Sequence, residues 1–189
     1  MIQLNWNRRK LFSVLMLSII VLGVVLVVSG VLPFPVTSQS APSRPNVAKI
    51  GALAPEIALK DLSGNTMRLS DLQGKPVHVT FWATWCAPCR AEMPIFEKKY
   101  QQYKDSKNLV VLGVRIQDDA GPDVVTKFLR ELGVTFPIVN DIDGVATNAY
   151  RIRGLPTNVF IDRNGVIQDM ILGGPLTEEY IERELEKIF

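Results

Sequence analysis

The chain is poor in the residues that bind metals and build disulfide frameworks. Its 189 residues include two cysteines, Cys86 and Cys89, and one histidine, His78. A zinc site needs four ligands, which these three side chains cannot supply. A disulfide across so short a loop restricts the unfolded chain little, so a structural crosslink is a weak explanation for the pair. The cysteines therefore point to reversible dithiol chemistry, with no metal and no bound cofactor.

The chain also lacks an excess of either charge. It has 21 lysines and arginines and 19 aspartates and glutamates, which give a formal net charge of +2. Nucleic-acid binding would need a basic surface, and the one basic cluster near the N-terminus is explained by membrane topology. We therefore expect no nucleic-acid partner.

A long apolar run near the N-terminus predicts a membrane anchor. Residues 11–32 carry no charge and are numerous enough to cross a hydrocarbon core as a helix. Arg8, Arg9 and Lys10 precede the run, whereas the first positive residue after it is Arg44. This charge bias predicts that residues 1–10 lie in the cytoplasm. The chain after residue 32 would then lie on the other side of the cell membrane, in the periplasm or on the outer face.

A cleaved signal peptide is the alternative interpretation of this segment, because small residues follow at positions 38–40. The apolar run is longer than a typical signal core, which favours an uncleaved anchor. Both interpretations export the remaining chain. Residues 33–46 are rich in proline and serine and predict an extended linker, and residues 47–189 have the size of one folded domain.

The sequence around the cysteines indicates how the pair would react. Residues 77–82 are apolar and β-branched, as in a buried strand, and residues 86–103 have the pattern of a helix. Cys86 then lies at the helix N-terminus, where free backbone N–H groups and the helix dipole stabilise a thiolate. Pro88 fits the first helical turn. We expect Cys86 to be the nucleophile and Cys89 to resolve the mixed disulfide.

The segment Trp85-Cys86-Ala87-Pro88-Cys89 resembles the W-C-x-P-C active site of the thioredoxin superfamily, in the same strand–turn–helix context. Residues 153–157 resemble the cis-proline loop of that superfamily. The resemblance implies that the Leu155–Pro156 bond is cis and faces the dithiol. It also implies a substrate-binding surface for the partner peptide, formed by residues of both segments: Trp85, Ala87, Pro88, Leu155, Pro156 and Thr157.

Strands that alternate with helices predict an α/β fold with parallel and antiparallel strand pairs. The strands are expected at 57–60, 66–69, 77–82, 109–116, 136–139, 158–161 and 166–172, and the helices at 86–103, 123–132, 146–150 and 177–188. In the second helix, Val124, Phe128 and Leu132 have core spacing. The resemblance makes this a thioredoxin-like three-layer α/β/α sandwich with a mixed central sheet, preceded by one transmembrane helix.

The N-terminal hairpin and the helix–strand segment at residues 121–139 are additions to a minimal thioredoxin. They resemble the insertions of TlpA/ResA-like membrane-anchored proteins, which include reductants of cytochrome c maturation. This subgroup implies an extracytoplasmic thiol-disulfide oxidoreductase that reduces disulfides in exported proteins. Its electrons come from an integral membrane thiol carrier. Apocytochrome c haem-site cysteines are one candidate substrate.

Glu92 is the third candidate catalytic residue, after Cys86 and Cys89. It corresponds to a glutamate that many proteins of this subgroup place beside the dithiol. Its spacing puts it on the helix face of Cys89, where it could take the thiol proton. The alternative is a solvated glutamate near the helix N-terminus. His78 is interpreted as structural and without a partner.

Two other functions remain open. One is a disulfide oxidase or isomerase, since the residues between the cysteines do not fix the direction of exchange. The other is a non-catalytic binding or metallochaperone module on the same fold. The intact cysteine pair and proline loop argue against the module, and the absence of a large inserted helical domain argues against an oxidant. We therefore expect a reductant.

Overall fold

In a computed structural model of the protein, the described residues are 16–19 and 43–189. Residues 16–19 are helical. The rest of the expected anchor at 11–32, residues 1–10, which were expected in the cytoplasm, and the expected linker up to residue 42 lie outside the described residues. Within the described part of the chain, no helix is both long and apolar enough to span a membrane. Ser43–Phe189 is one compact unit.

A seven-stranded mixed sheet forms the centre of this unit, with strand order β2-β1-β5-β4-β3-β6-β7. Strands β3, β4 and β5 are parallel, and the other neighbouring pairs are antiparallel. The mixed sheet expected from the sequence is thus confirmed, as is the N-terminal hairpin of β1 and β2. The strands are β1 Ala58–Asp61, β2 Thr66–Arg68, β3 Val77–Trp82, β4 Val110–Arg115, β5 Ile138–Asn140, β6 Thr157–Ile161 and β7 Ile167–Leu172.

Helices cover both faces of the sheet. They are α1 Ala87–Tyr103, α2 Pro122–Glu131, α3 Val145–Ala149 and α4 Glu178–Glu186, with a short 3-10 turn at Leu69–Leu72. One buried cluster joins one sheet face to α1, α2 and the C-terminal segment that contains α4. A second cluster joins the other face to α3 and to the segment before β1. This arrangement is a three-layer sandwich.

Strand β3 lies in the middle of the sheet and has all six residues buried. Its continuous apolar sequence follows from burial on both faces. Val77, Val79 and Phe81 pack in the cluster on the α3 side. The alternate residues, which include the polar His78 and Thr80, therefore point to the α1 side. Two buried polar side chains thus lie beneath the helix that carries the cysteines.

The buried face of α2 differs from the expectation. Val125, Phe128 and Leu129 are buried, whereas Val124 is 55% exposed and Leu132 follows the last helical residue. The prediction of Val124 as a core residue was wrong, because the stripe that packs on the sheet begins one position later and follows i, i+3, i+4 spacing.

Candidate active site

Cys86 lies where β3 gives way to α1. It is the N-cap of α1 in an extended conformation, and Pro88 follows in the first turn. The backbone N–H of Cys89 donates to Cys86 Sγ across 3.2 Å. A sulfur that receives such a donor at a helix N-terminus is stabilised as a thiolate. The local geometry therefore suits Cys86 for nucleophilic attack.

Cys86 and Cys89 form a disulfide, with their Cα atoms 5.3 Å apart. Both cysteines are buried, with 3% and 1% of their surfaces exposed. The neighbouring Trp85 is 62% exposed, Ala87 is also exposed and Pro88 is half-buried. These three residues flank Cys86 at the surface, where a partner polypeptide could contact them.

The proline loop lies at the start of β6. The Leu155–Pro156 bond is cis, as the resemblance implied, and a second cis bond joins Gly174 to Pro175. Leu155 is half-buried, Pro156 and Thr157 are buried, and Thr157 Oγ1 donates to the Gly154 carbonyl across 2.8 Å. Thr157 is thus held by its own loop, while Leu155 remains partly accessible.

Glu92 is fully buried, one turn after Cys89 on α1. The Leu176 N–H donates to Oε1 across 2.6 Å, and Asn158 Nδ2 donates to Oε2 across 3.2 Å. Burial raises the pKa of Glu92, although both N–H donors oppose the shift. The solvated position that the sequence left open is therefore excluded. A carboxyl group with a raised pKa can exchange a proton with a thiol at moderate pH.

Gly174 places the second cis-proline segment against Glu92. A Cβ added at Gly174 would clash with the Glu92 carboxylate and would lie 2.9 Å from Pro156 Cγ. Glu92 and Pro156, which are far apart in the sequence, are therefore brought together around a position that only glycine fits.

His78 has a partner, contrary to the sequence interpretation. Its Nε2 lies 3.0 Å from Asn158 Oδ1. Its ring stacks on Phe160 and meets the edge of Phe96. Burial lowers the pKa of His78 to about 4. Sequence reasoning missed the role of Asn158, and the signal for it was an amide side chain within a buried strand.

The loop after β4 supports the turn before Cys86. Asp118 accepts hydrogen bonds from the Thr84 N–H at 2.7 Å and from Thr84 Oγ1 at 3.0 Å. Trp85 Nε1 donates to the Gln117 carbonyl across 2.8 Å, and Gln117 has a positive φ of 49°. Sequence reasoning missed this role of Asp118. These contacts hold Trp85 beside the dithiol.

Comparisons with known proteins agree with this geometry. A family model described as the AhpC/TSA family matches residues 50–170. Thiol-disulfide oxidoreductase ResA of Geobacillus kaustophilus is 43% identical over 140 residues, which are 74% of this chain and 78% of that protein. ResA of Halalkalibacterium halodurans is 35% identical over 168 residues, or 88% of this chain and 92% of the relative.

A solved structure gives the same result for the fold. The crystal structure of a Chlorobium tepidum protein described as thiol:disulfide interchange protein DsbE superposes with a TM-score of 0.66 at 32% identity. The superposed region is 74% of this chain and 97% of the Chlorobium tepidum chain. The region matched by the family model contains both cysteines, Glu92 and Pro156.

Proposed function

The chain belongs to the AhpC/TSA family of thioredoxin-like proteins, and from this premise we propose that it reduces disulfides in exported proteins through Cys86 and Cys89. It is a thiol-disulfide oxidoreductase, like its relatives. The single observation that carries the assignment of residues is the Cys86–Cys89 disulfide at the N-terminus of α1, with the Cys89 N–H directed at Cys86 Sγ.

The first step is attack by the Cys86 thiolate on the substrate disulfide. The substrate S–S bond breaks, a mixed disulfide forms at Cys86, and the other substrate sulfur leaves as a thiolate. The hydrogen bond from the Cys89 N–H stabilises the thiolate form of Cys86 before attack. The substrate would be contacted on one side by Trp85, Ala87 and Pro88. On its other side it would be contacted by the Leu155–Thr157 loop.

The second step resolves the mixed disulfide. Cys89 loses its proton to Glu92, and its sulfur forms a bond to Cys86 Sγ while the bond between Cys86 and the substrate breaks. The substrate leaves with both sulfurs reduced, and the enzyme holds the Cys86–Cys89 disulfide. Two electrons have moved, so the enzyme must be reduced before its next turnover.

Two features support reduction as the physiological direction. Each connection between strands in Ser43–Phe189 holds at most one regular helix, unlike the large helical insertion expected of a DsbA-like oxidant. The raised pKa of Glu92 also suits it to take a proton from a reduced Cys89. We further propose that residues 11–32 anchor the domain to the outer face of the cell membrane, that a membrane thiol carrier supplies electrons, and that apocytochrome c haem-site cysteines are one substrate.

The test uses two cysteine variants of the full chain and a protein substrate with one accessible disulfide. Cys86→Ser should abolish its reduction, because the attacking sulfur is lost. Cys89→Ala should accumulate a mixed disulfide with the substrate that dithiothreitol releases, because resolution is blocked. Turnover by Cys86→Ser would refute the nucleophile assignment, and a wild-type chain that reduces no disulfide would indicate a non-catalytic module.

A further inference from the structure

Three polar side chains form a buried chain of hydrogen bonds on the α1 side of the sheet. His78 of β3 contacts Asn158 of β6 across 3.0 Å, and Asn158 contacts Glu92 of α1 across 3.2 Å. Their surfaces are 1%, 0% and 0% exposed. Buried polar side chains lower stability unless they are hydrogen-bonded, and these three side chains satisfy this condition through one another.

The hydrogen bonds have a single consistent direction. Asn158 Oδ1 can only accept, so His78 Nε2 carries the proton and donates it. Asn158 Nδ2 can only donate, so Glu92 Oε2 accepts. The Leu176 N–H donates to the other oxygen, Oε1. Both oxygens of Glu92 thus face N–H donors, which is the arrangement that suits a carboxylate.

Protonation of Glu92 would disturb this chain. Glu92 Oε1 already accepts a hydrogen bond from the fixed backbone N–H of Leu176. A proton on Oε2 that points towards Asn158 would face the N–H of Asn158 Nδ2, so two donors would meet without an acceptor between them. The Asn158 amide would have to rotate, and its N–H would then oppose His78 Nε2–H. His78 resists rearrangement, because its ring is stacked on Phe160 at a centroid distance of 4.6 Å.

We propose that Asn158 is a positioning residue. Its side chain, oriented by the hydrogen bond from His78, holds Glu92 as a carboxylate that can accept the proton of Cys89 during resolution of the mixed disulfide. The inference rests on the proposed function. The proton leaves Cys89 Sγ for the Glu92 carboxylate, and the sulfur electron pair forms the bond to Cys86 Sγ. The bond between Cys86 and the substrate breaks, and the substrate sulfur departs with its electron pair.

The surroundings of Glu92 make this effect measurable. Among the described residues, the titratable groups linked to it are His78, through Asn158, and the two cysteines, which precede it in the sequence at the start of α1. Strand β6 and the loop before α4 present the Asn158 amide and the Leu176 N–H, neither of which titrates. In the oxidised protein the cysteines are joined and do not titrate either.

The experiment measures the pKa of Glu92 in the oxidised full chain by carboxyl carbon NMR, with Glu92→Gln to assign the signal. Asn158→Leu should raise that pKa by about one pH unit or more, because one N–H donor to the carboxylate is lost. In the reduced chain, the pH at half-maximal rate of disulfide reduction should rise with it. His78→Phe keeps a ring against Phe160 but loses Nε2–H, so it should shift both quantities in the same direction by less.

Thr80→Val is the matched control. Thr80 is buried and pairs with Asn158 in the sheet register, but it lies outside the hydrogen-bonded chain. The substitution should leave the Glu92 pKa and the pH profile unchanged. His78→Phe also serves as the second test if Asn158→Leu fails to fold.

Wild-type values of both quantities in the folded Asn158 and His78 variants would overturn the inference. If the wild-type protein reduces no disulfide but Asn158→Leu still shifts the Glu92 pKa measured by NMR, the proposed function is refuted and the positioning of Glu92 by Asn158 stands.

Discussion

Glu92 experiences two opposing influences on its pKa. Removal from water raises the pKa, and the N–H groups of Leu176 and Asn158 lower it, with burial the larger effect. The folded state therefore binds the Glu92 proton more tightly than the unfolded state does. This contribution to stability is present at low pH and is lost as pH rises through the folded-state pKa. The charged form of Glu92, which is the form that can accept a proton, therefore lowers the free energy of unfolding.

Glu92→Gln should slow disulfide reduction by about 100-fold at neutral pH, because the resolving cysteine loses its proton acceptor. Glu97→Gln is the matched control on the same helix. Glu97 accepts from the Thr135 and Phe136 backbone N–H groups away from the dithiol, so its change should leave the rate near wild type. Equal rates for the two variants would show that Glu92 has no part in proton transfer.

His78 is the single histidine of the chain, so its imidazole NMR signals are unambiguous. We expect them to titrate near pH 4 in the folded protein, because burial disfavours the charged ring. The unfolded chain takes up this proton from about pH 6.5 downwards, so stability from this group is complete above that pH and falls as pH drops towards 4. The loss amounts to about 3 kcal/mol. A titration midpoint near 6.5 would contradict the buried, neutral assignment.

Several elements could be predicted from the sequence because the signals are local. The apolar run of β3, Pro88 at the start of α1 and the pattern Leu155-Pro156-Thr157 each lie within a short segment. The partners of Glu92 could not be predicted in this way. Asn158 and Leu176 are 66 and 84 residues away, and they meet Glu92 only through the strand order and the second cis-proline segment.

The same limit applies to the support of the active-site turn. Asp118 lies 34 residues after Thr84, and parallel pairing of β3 with β4 brings the two together. The sequence shows an aspartate in a loop, and only the register shows what that aspartate contacts. Residues that support the active site from neighbouring strands and loops are therefore the part of the site that local patterns leave out.

The close packing of the second cis-proline segment against α1 gives an element-scale prediction. Gly174→Ala should displace the Glu92 carboxylate, because the new Cβ would clash with it and with Pro156. We expect a loss of about 1–3 kcal/mol in unfolding free energy, measured by urea titration, together with slower disulfide reduction.

Gly121→Ala provides the control for this substitution, because nothing lies within 4 Å of a Cβ added at that position. It should cost no more than a weakened helix cap and leave the rate unchanged. A Gly174→Ala variant that is as stable and as active as Gly121→Ala would show that the segment does not confine Glu92.

At the scale of the whole unit, the far half of α1 is tied to α4. Lys99 is largely buried and pairs with Glu178 at 3.1 Å and with Glu182 at 2.5 Å. These pairs join α1 and α4 on one face of the sheet, while Cys86 and Cys89 occupy the N-terminal turn of α1 at the edge where β3 ends. The helix that carries the dithiol is thus held at both ends, which limits the reorganisation needed for exchange.

The direction of electron flow belongs to the whole molecule, because it depends on the relative stabilities of the oxidised and reduced states. The most direct test is the reduction potential of Cys86 and Cys89, measured by equilibrating the protein with glutathione or dithiothreitol and counting free thiols by alkylation. A value at or below about −220 mV is the result expected of an exported reductant that draws electrons from a membrane carrier. A value near −120 mV would make the protein an oxidant and would contradict the function proposed for it.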